Sequence, residues 1–198
     1  MKNIRLAVAT AGLAAAALPG VASADDTAFY VGGAFGLTIY SETCDRVLIP
    51  CDAEDTGWRV FGGYQFHRNV AVELGYANLG EATGATDNFG GAPGSFKRET
   101  KGVDLTVVGM VPLTARLSGL VRVGAYRLRT YQDQEGFFGT IHDGKTQSGW
   151  TYGAGLQYQM GALGIRTEFQ RYNNVGEDTI STVKDDIHMY SVGLLLRF

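Results

Sequence analysis

The sequence predicts an all-β protein, an eight-stranded antiparallel up-and-down transmembrane β-barrel. The first observation behind this prediction is the alternation within residues 187–198, where every second side chain from Tyr190 to Phe198 is apolar or aromatic. Seven earlier segments repeat the alternation. The connections between the segments are alternately long and short, so the long loops all fall at one end and the short turns at the other. This asymmetry is typical of barrels in the bacterial outer membrane.

The N-terminus has the three parts of a secretory signal peptide. A basic head with Lys2 and Arg5 precedes an apolar, Ala-rich run, and residues 22–24 form an Ala-x-Ala cleavage site. The alternative is an N-terminal membrane anchor, but the run is shorter than the roughly 20 residues of a helical span. We therefore expect residues 1–24 to be a signal peptide and residues 25–198 to be the barrel domain. Removing the signal peptide takes the formal charge from −3 to −5, which argues against nucleic acid as a partner.

The elements are expected in a simple order along the chain. The predicted strands are 28–40, 56–66, 70–79, 101–111, 117–129, 148–160, 163–172 and 187–198. The polar segments 41–55, 80–100, 130–147 and 173–186 are expected to be the long loops. Between them lie short turns at 67–69, 112–116 and 161–162.

The alternation alone also fits a soluble, lipocalin-like barrel with its apolar face inward. Two observations favour the opposite orientation. The face that carries the charges is also rich in glycine, and small residues make room in an eight-stranded barrel, whose interior only just holds side chains. The apolar face gathers aromatic residues near the strand ends, as in the interfacial belts of membrane proteins. The residues concerned are Trp58, Tyr76, Trp150, Tyr152 and Tyr190 toward the loops, and Phe66, Tyr158 and Phe198 toward the turns.

The predicted inward face carries charges that are expected to form interior ion pairs. These residues are Arg59, Glu73, Asp104, Arg122, Arg166, Glu168 and Arg197. Because a buried charge is costly unless it is paired, we expect Arg59 to meet Glu73, Asp104 to meet Arg122, and the other three to form a second cluster. Two interpretations stay open: the pairs fill the core, or they form a polar plug that opens transiently to pass ions.

The two cysteines, Cys44 and Cys51, lie in the first long loop. The export signal places them in an oxidising compartment, so a local disulfide is expected. The alternatives are two free thiols, or half of a metal site. The metal reading lacks an accompanying cluster of histidines or cysteines, so no metal and no cofactor are expected.

Enzyme chemistry has one candidate to consider, because some eight-stranded barrels modify lipid A. His188 lies near the extracellular end with Ser191 three residues on, but opposite parity points the two side chains to different faces. No Ser-His-acid arrangement is visible, so no catalytic residue is expected. The basic residues Arg127, Arg129 and Arg171 at the loop bases are candidate contacts for lipopolysaccharide phosphates, with solvated rim charge as the alternative.

The chain resembles the OmpA-like outer-membrane β-barrel family. The matching segments are 29–33 (FYVGG), 61–66 (FGGYQF), 72–76 (VELGY), 112–122, 152–159, 166–169 (RTEF) and 191–198, in the family's order and spacing. The resemblance implies a non-catalytic outer-membrane protein that supports envelope integrity and presents surface loops for adhesion or partner binding, including host or matrix ligands. A narrow porin-like channel is the alternative, and a lipid A-modifying enzyme comes third. Phe198 resembles the terminal signal read by the barrel-assembly machinery. Many relatives add a peptidoglycan-binding domain, which is not expected in this chain.

Overall fold

The computed structural model describes residues 28–40, 51–52, 54–87, 93–136, 139–175 and 185–198. The strands in these ranges are β1 (Ala28–Tyr40), β2 (Cys51–Asp52), β3 (Glu54–His67), β4 (Val70–Asp87), β5 (Pro93–Pro112), β6 (Leu117–Gly136), β7 (Gly139–Met160), β8 (Leu163–Val175) and β9 (Asp185–Arg197). The predicted signal peptide lies outside the described residues, and so does Cys44 of the predicted disulfide. Both therefore stay predictions.

Every strand pairing is antiparallel, and the sheet closes on itself. From β3 to β9, each strand pairs with the next one along the chain, including β4 with β5. Strand β1 pairs with β3 on one side and with β9 on the other, which closes the sheet. The two-residue β2 adds only to the outer part of β4, where Cys51 lies opposite Gly84. The closed sheet without β2 has eight strands, so the predicted eight-stranded antiparallel barrel is confirmed. Within the described residues, no helix is long and apolar enough to cross a membrane.

Two of the predicted loops are wrong over most of their length. Residues 80–100 and 130–147 continue the strands as β-hairpins, with Gly84 opposite Phe96 and Gln134 opposite Ile141. The backbone ladder can extend beyond a bilayer without any apolar alternation, because both faces of the hairpin are then in water. The periodicity that marked the membrane-crossing strands therefore stops before the strands do.

The apolar face points outward, as predicted. Leu74 is 61% exposed and Leu194 is 56% exposed, whereas Glu73, the neighbour of Leu74, is fully buried. Aromatic rings gather on the outward face near the strand ends, where Trp150 stacks on Tyr152 with their centroids 5.2 Å apart. Apolar side chains thus face outward and charged side chains face inward, as the alternation requires.

The interior contains more apolar side chains than the sequence led us to expect. A cluster that we call the upper cluster lies toward the long connections and comprises Tyr40, Ala77, Leu79, Tyr126, Leu128, Tyr172, Val175, Ile187 and Met189. A lower cluster lies toward the short turns and comprises Tyr30, Phe61, Ala71, Val108, Met110, Leu120 and Leu195. The inward charges lie between the two clusters.

Close strand approach explains why one inward position is glycine. A side chain added at Gly36 of β1 would collide with the carbonyl oxygen of Tyr190 on β9, the strand that closes the barrel against β1. Gly161, in the turn between β7 and β8, has a φ of 64°, a backbone conformation that L-residues rarely adopt. Closure and the tight turn therefore depend on these two residues.

Candidate functional site

Glu73 of β4 is the centre of the buried ion-pair network. One of its carboxylate oxygens, Oε1, accepts hydrogen bonds from Arg166 Nη1 at 2.6 Å and from the Tyr30 hydroxyl at 2.7 Å. The other, Oε2, accepts from Arg122 Nη2 at 2.6 Å and from Arg59 Nη1 at 3.4 Å. One carboxylate thus joins three arginines that come from three different strands.

Asp104 and Glu168 complete the network on either side of Glu73. Arg59 grips Asp104 with two bonds, Nη2 to Oδ1 at 2.6 Å and Nε to Oδ2 at 3.0 Å. Arg122 Nε lies 2.7 Å from Glu168, and Arg166 Nη1 lies 3.8 Å from the same carboxylate. Bidentate arginine–carboxylate pairs are among the strongest hydrogen bonds in proteins, so Asp104 and Arg59 hold each other in a fixed geometry.

The pairing differs from the sequence prediction in two respects. Arg122 meets Glu73 and Glu168 rather than Asp104, so the separate pairs merge into one connected network. Arg197 is half-buried, and no ion pair joins it to the network in the part of the chain that the structure describes. The network therefore contains three arginines and three carboxylates and is formally neutral.

Neutral side chains add further hydrogen bonds to the network. Gln157 accepts two bonds from Arg166, at 2.9 and 3.1 Å, and Gln170 accepts one from Arg122 at 3.3 Å. Tyr172 of the upper cluster donates to Asp104 at 3.3 Å. The sequence did not single out these residues or Tyr30, because alternation places a side chain inside but does not say what it contacts there.

Little space remains around the charges. The cavity beside Arg59, Arg166 and Glu168 has a volume of about 10 Å³, which is close to the minimum for one water molecule. The guanidinium groups of Arg59 and Arg166 each lie 5.0 Å from the centre of the Phe61 ring. The network is thus packed directly onto the lower cluster.

The three predicted rim arginines have different surroundings. Arg171 forms an ion pair with Asp186, whereas Arg127 and Arg129 are exposed and have no carboxylate within ion-pair range among the described residues. Asp186 lies above the aromatic belt. Its partial burial acts to raise its pKa, but the backbone N–H of Asn174 and the guanidinium of Arg171 outweigh this effect and hold the pKa below its usual value.

The candidate catalytic and metal-binding groups remain apart. His188 lies on the outward side, where its ring packs against Phe169 at 5.7 Å, and the adjoining strand register puts Ser191 on the opposite face. Another histidine, His142, lies in the predicted loop 130–147, and its side chain is outside the described part of the structure. Among the described residues, no group of three or more histidine, cysteine, aspartate or glutamate side chains is placed to hold a metal ion.

The closed barrel, its lipid-facing apolar surface and its charged interior define an integral β-barrel protein of the bacterial outer membrane. Residues 24–198 match the OmpA-like transmembrane domain, and the chain belongs to this family. The resemblance and the localisation expected from the sequence are thus confirmed.

The similar proteins agree with this assignment. Outer membrane protein A of Salmonella typhi is 31% identical over 199 residues, which cover 98% of this chain and 54% of that protein. The chain thus spans about half the length of the curated relatives it matches. Among solved structures, Yersinia pestis Ail in complex with a heparin analogue has a TM-score of 0.54 at 14% identity, covering 87% of this chain and 97% of that one. Neisserial surface protein A has a TM-score of 0.56 at 13% identity, covering 86% and 97%. These two likenesses are of fold.

Proposed function

We propose that this protein is a non-catalytic outer-membrane barrel that supports envelope integrity and presents surface hairpins for adhesion or partner binding. The observation that carries the proposal is the filled lumen. A neutral ion-pair network lies between two apolar clusters, and the cavity beside it has a volume of about 10 Å³. The surfaces left for function are the lipid-facing wall and the hairpins above it.

The hairpins supply an extended surface on the extracellular side. The β4 ladder continues nine residues beyond Asn78 to Asp87, and the β6 ladder continues nine residues beyond Arg127 to Gly136. At 3.3–3.4 Å per residue, each hairpin extends roughly 30 Å along its strands beyond these residues. Paired strands of this length present a large surface to a host, matrix or phage partner.

A narrow porin-like channel is less compatible with the interior. An ion would have to pass Leu79 and Leu128 in the upper cluster and Met110 and Leu120 in the lower one, all of them buried. Apolar constrictions exclude water and thereby block ions. A lipid A-modifying enzyme needs a nucleophile or base with an orienting partner, and His188 and Ser191 face different sides.

Barrel closure supports a role for Phe198 in assembly. Its backbone N–H donates to the Phe29 carbonyl at 2.9 Å, and the Phe29 N–H donates to the Phe198 carbonyl at 3.1 Å. The aromatic side chain of Phe198 is about half exposed on the outward face. Engagement of this residue by the barrel-assembly machinery would place the closing strand beside β1.

The proposal is tested in cells that lack the protein and are complemented with shortened hairpins. One variant replaces residues 131–144 with Asn-Gly, which joins the facing residues Thr130 and Lys145 by a two-residue turn. The matched variant replaces residues 85–95 between Gly84 and Phe96 in the same way. We expect both variants to restore resistance to detergent and bile salts, and at least one to lose adhesion to matrix-coated surfaces. Full adhesion by both variants, together with wild-type resistance in cells that lack the protein, would contradict both halves of the proposal.

A further inference from the structure

Three cations share one outward patch at the extracellular rim of β5 and β6. Lys101 of β5 lies directly opposite Arg129 of β6, and Arg127 is the preceding outward residue on β6. Facing residues on adjacent strands are about 5 Å apart, and alternate residues along a strand are about 6.7 Å apart. The Lys101 ammonium and the Arg129 guanidinium lie 4.9 and 5.0 Å from the centre of the same ring, that of Tyr131.

Among the described side chains, the patch keeps a net positive charge. Glu99 accepts a bond from Lys101 at 3.1 Å and offsets one of the three cations. No other carboxylate among the described residues pairs with Arg127 or Arg129. Arg171, which the sequence grouped with these two residues, is already neutralised by Asp186. The structure therefore replaces Arg171 with Lys101 as the third member of the basic group.

The depth of the patch matches the headgroup region of the outer leaflet. Trp150 lies opposite Ala125, and Arg127 is the next outward residue above Ala125 on β6. Below them Val123 is 56% exposed to the lipid side. Because tryptophan marks the boundary between acyl chains and headgroups, the cations begin just above that boundary.

We propose that Lys101, Arg127 and Arg129 form a binding site for a phosphate group of lipopolysaccharide in the outer leaflet. The two guanidinium groups donate paired hydrogen bonds to phosphate oxygens, and the ammonium adds a compact positive charge. The stacked rings of Trp150 and Tyr152 lie beneath the phosphate and contact the acyl-chain end of the same lipid. The inference rests on the proposed function in one respect, namely that this end of the barrel faces the cell exterior.

The test compares two charge-matched double variants in lipid nanodiscs. Arg127→Gln with Arg129→Gln removes the site, while Arg68→Gln with Arg116→Gln removes two exposed arginines from the opposite end. Binding of bisphosphorylated and of dephosphorylated lipid A is measured by native mass spectrometry. We expect the rim variant to bind the bisphosphorylated lipid at least about tenfold more weakly, as two lost bonds to a charged group imply. We expect the control to bind like the wild-type protein, and the dephosphorylated lipid not to distinguish the three proteins.

Several results would overturn the proposal. Equal binding by the rim variant and the wild-type protein would remove the site, provided that both show the heat-dependent gel shift of a folded barrel. Equal binding of the two lipid forms by the wild-type protein would show that the phosphates make no contribution. Displacement of the lipid by inorganic phosphate at equal concentration would assign the patch to free anions. Each of these results leaves the hairpin and envelope experiments unaffected, so the two proposals can fail separately.

Discussion

Replacing Glu73 with glutamine tests whether the interior network stabilises the barrel. The substitution keeps the size of the side chain and removes its charge. The network would then contain three arginines and two carboxylates, and the excess positive charge would be buried between two apolar clusters. A buried charge that loses its partner is far more costly than an exposed one.

The magnitude follows from the bonds to the two carboxylate oxygens. A glutamine carbonyl can replace one oxygen and keep its bonds, but the amide NH₂ cannot accept the bonds that the other oxygen receives. If the amide takes the place of Oε2, the bonds from Arg122 and Arg59 are lost. Hydrogen bonds to charged groups contribute about 1.5–3 kcal/mol each, so two of them give about 3–6 kcal/mol. Removing one member of a buried ion pair costs about 3–5 kcal/mol, and we expect a loss in this range.

The free energy of unfolding is measured by urea titration of the barrel in phospholipid vesicles, followed by tryptophan fluorescence. Arg197→Gln is the matched control, because it removes a charge of the inward face that lies outside the network. It should change the free energy of unfolding by no more than about 0.5 kcal/mol. Combining Glu73→Gln with Arg166→Met restores the charge balance and leaves Glu168 with Arg122 at 2.7 Å. The combined loss should therefore be smaller than the sum of the two single losses.

A loss below about 1 kcal/mol for Glu73→Gln would refute this reasoning. It would mean that water enters the barrel and screens the arginines, or that the three guanidinium groups find other acceptors. Strict additivity in the double variant would likewise show that Glu73 and Arg166 do not interact, despite the 2.6 Å distance between them.

Three further predictions concern closure, orientation and conduction. Gly36→Ala should greatly reduce the fraction of protein that migrates as a folded barrel on an unboiled gel, because the new methyl group meets the backbone of β9. The control Gly62→Ala should fold normally, because no atom of a neighbouring strand lies nearer than 3.9 Å to its new methyl group. Equal folding of the two variants would disprove the close approach of β1 and β9. Trp58 and Trp150 are 41% and 52% exposed on the outward face. Lipids brominated near the headgroup should therefore quench their fluorescence more than lipids brominated at the chain ends. The reverse order would contradict the position of the aromatic belt at the membrane interface. Planar-bilayer recordings of the wild-type protein should show no stepwise conductance because buried side chains such as Leu128 fill the lumen; reproducible single-channel steps would restore the channel alternative.

The sequence predicted the faces of the strands well, because alternation records lipid contact directly. Tyr76 was expected on the outward face and Glu73 on the inward face, and the structure places them so. The bilayer enforces this pattern, since a charge on the outer wall would lose its hydration without gaining a partner. Where the wall leaves the membrane the constraint ends, and the strand ends at 79 and 129 were consequently placed too early.

The partners inside the barrel are harder to predict from the sequence. Which carboxylate an arginine meets depends on the stagger between strands, and stagger is a property of the closed sheet. Arg166 and Glu73 are 93 residues apart in the chain. The upper cluster has the same origin, since parity puts Leu128 and Ile187 inside but does not reveal that they pack together. Lys101 was likewise overlooked, because only the β5–β6 register sets it beside Arg129.

The ion-pair network also constrains how the barrel can enter the bilayer. Its six charged members come from β3, β4, β5, β6 and β8. The hairpins β3–β4, β5–β6 and β7–β8 each carry one arginine and one carboxylate, but the arginine–carboxylate contacts of 3.0 Å or less all join residues of different hairpins. A hairpin inserted alone would bring its arginine and carboxylate into hydrocarbon without their shortest contacts, at a cost of several kcal/mol. Partly inserted intermediates are therefore penalised, which favours insertion of the strands together, with the charges meeting one another as the barrel closes around them.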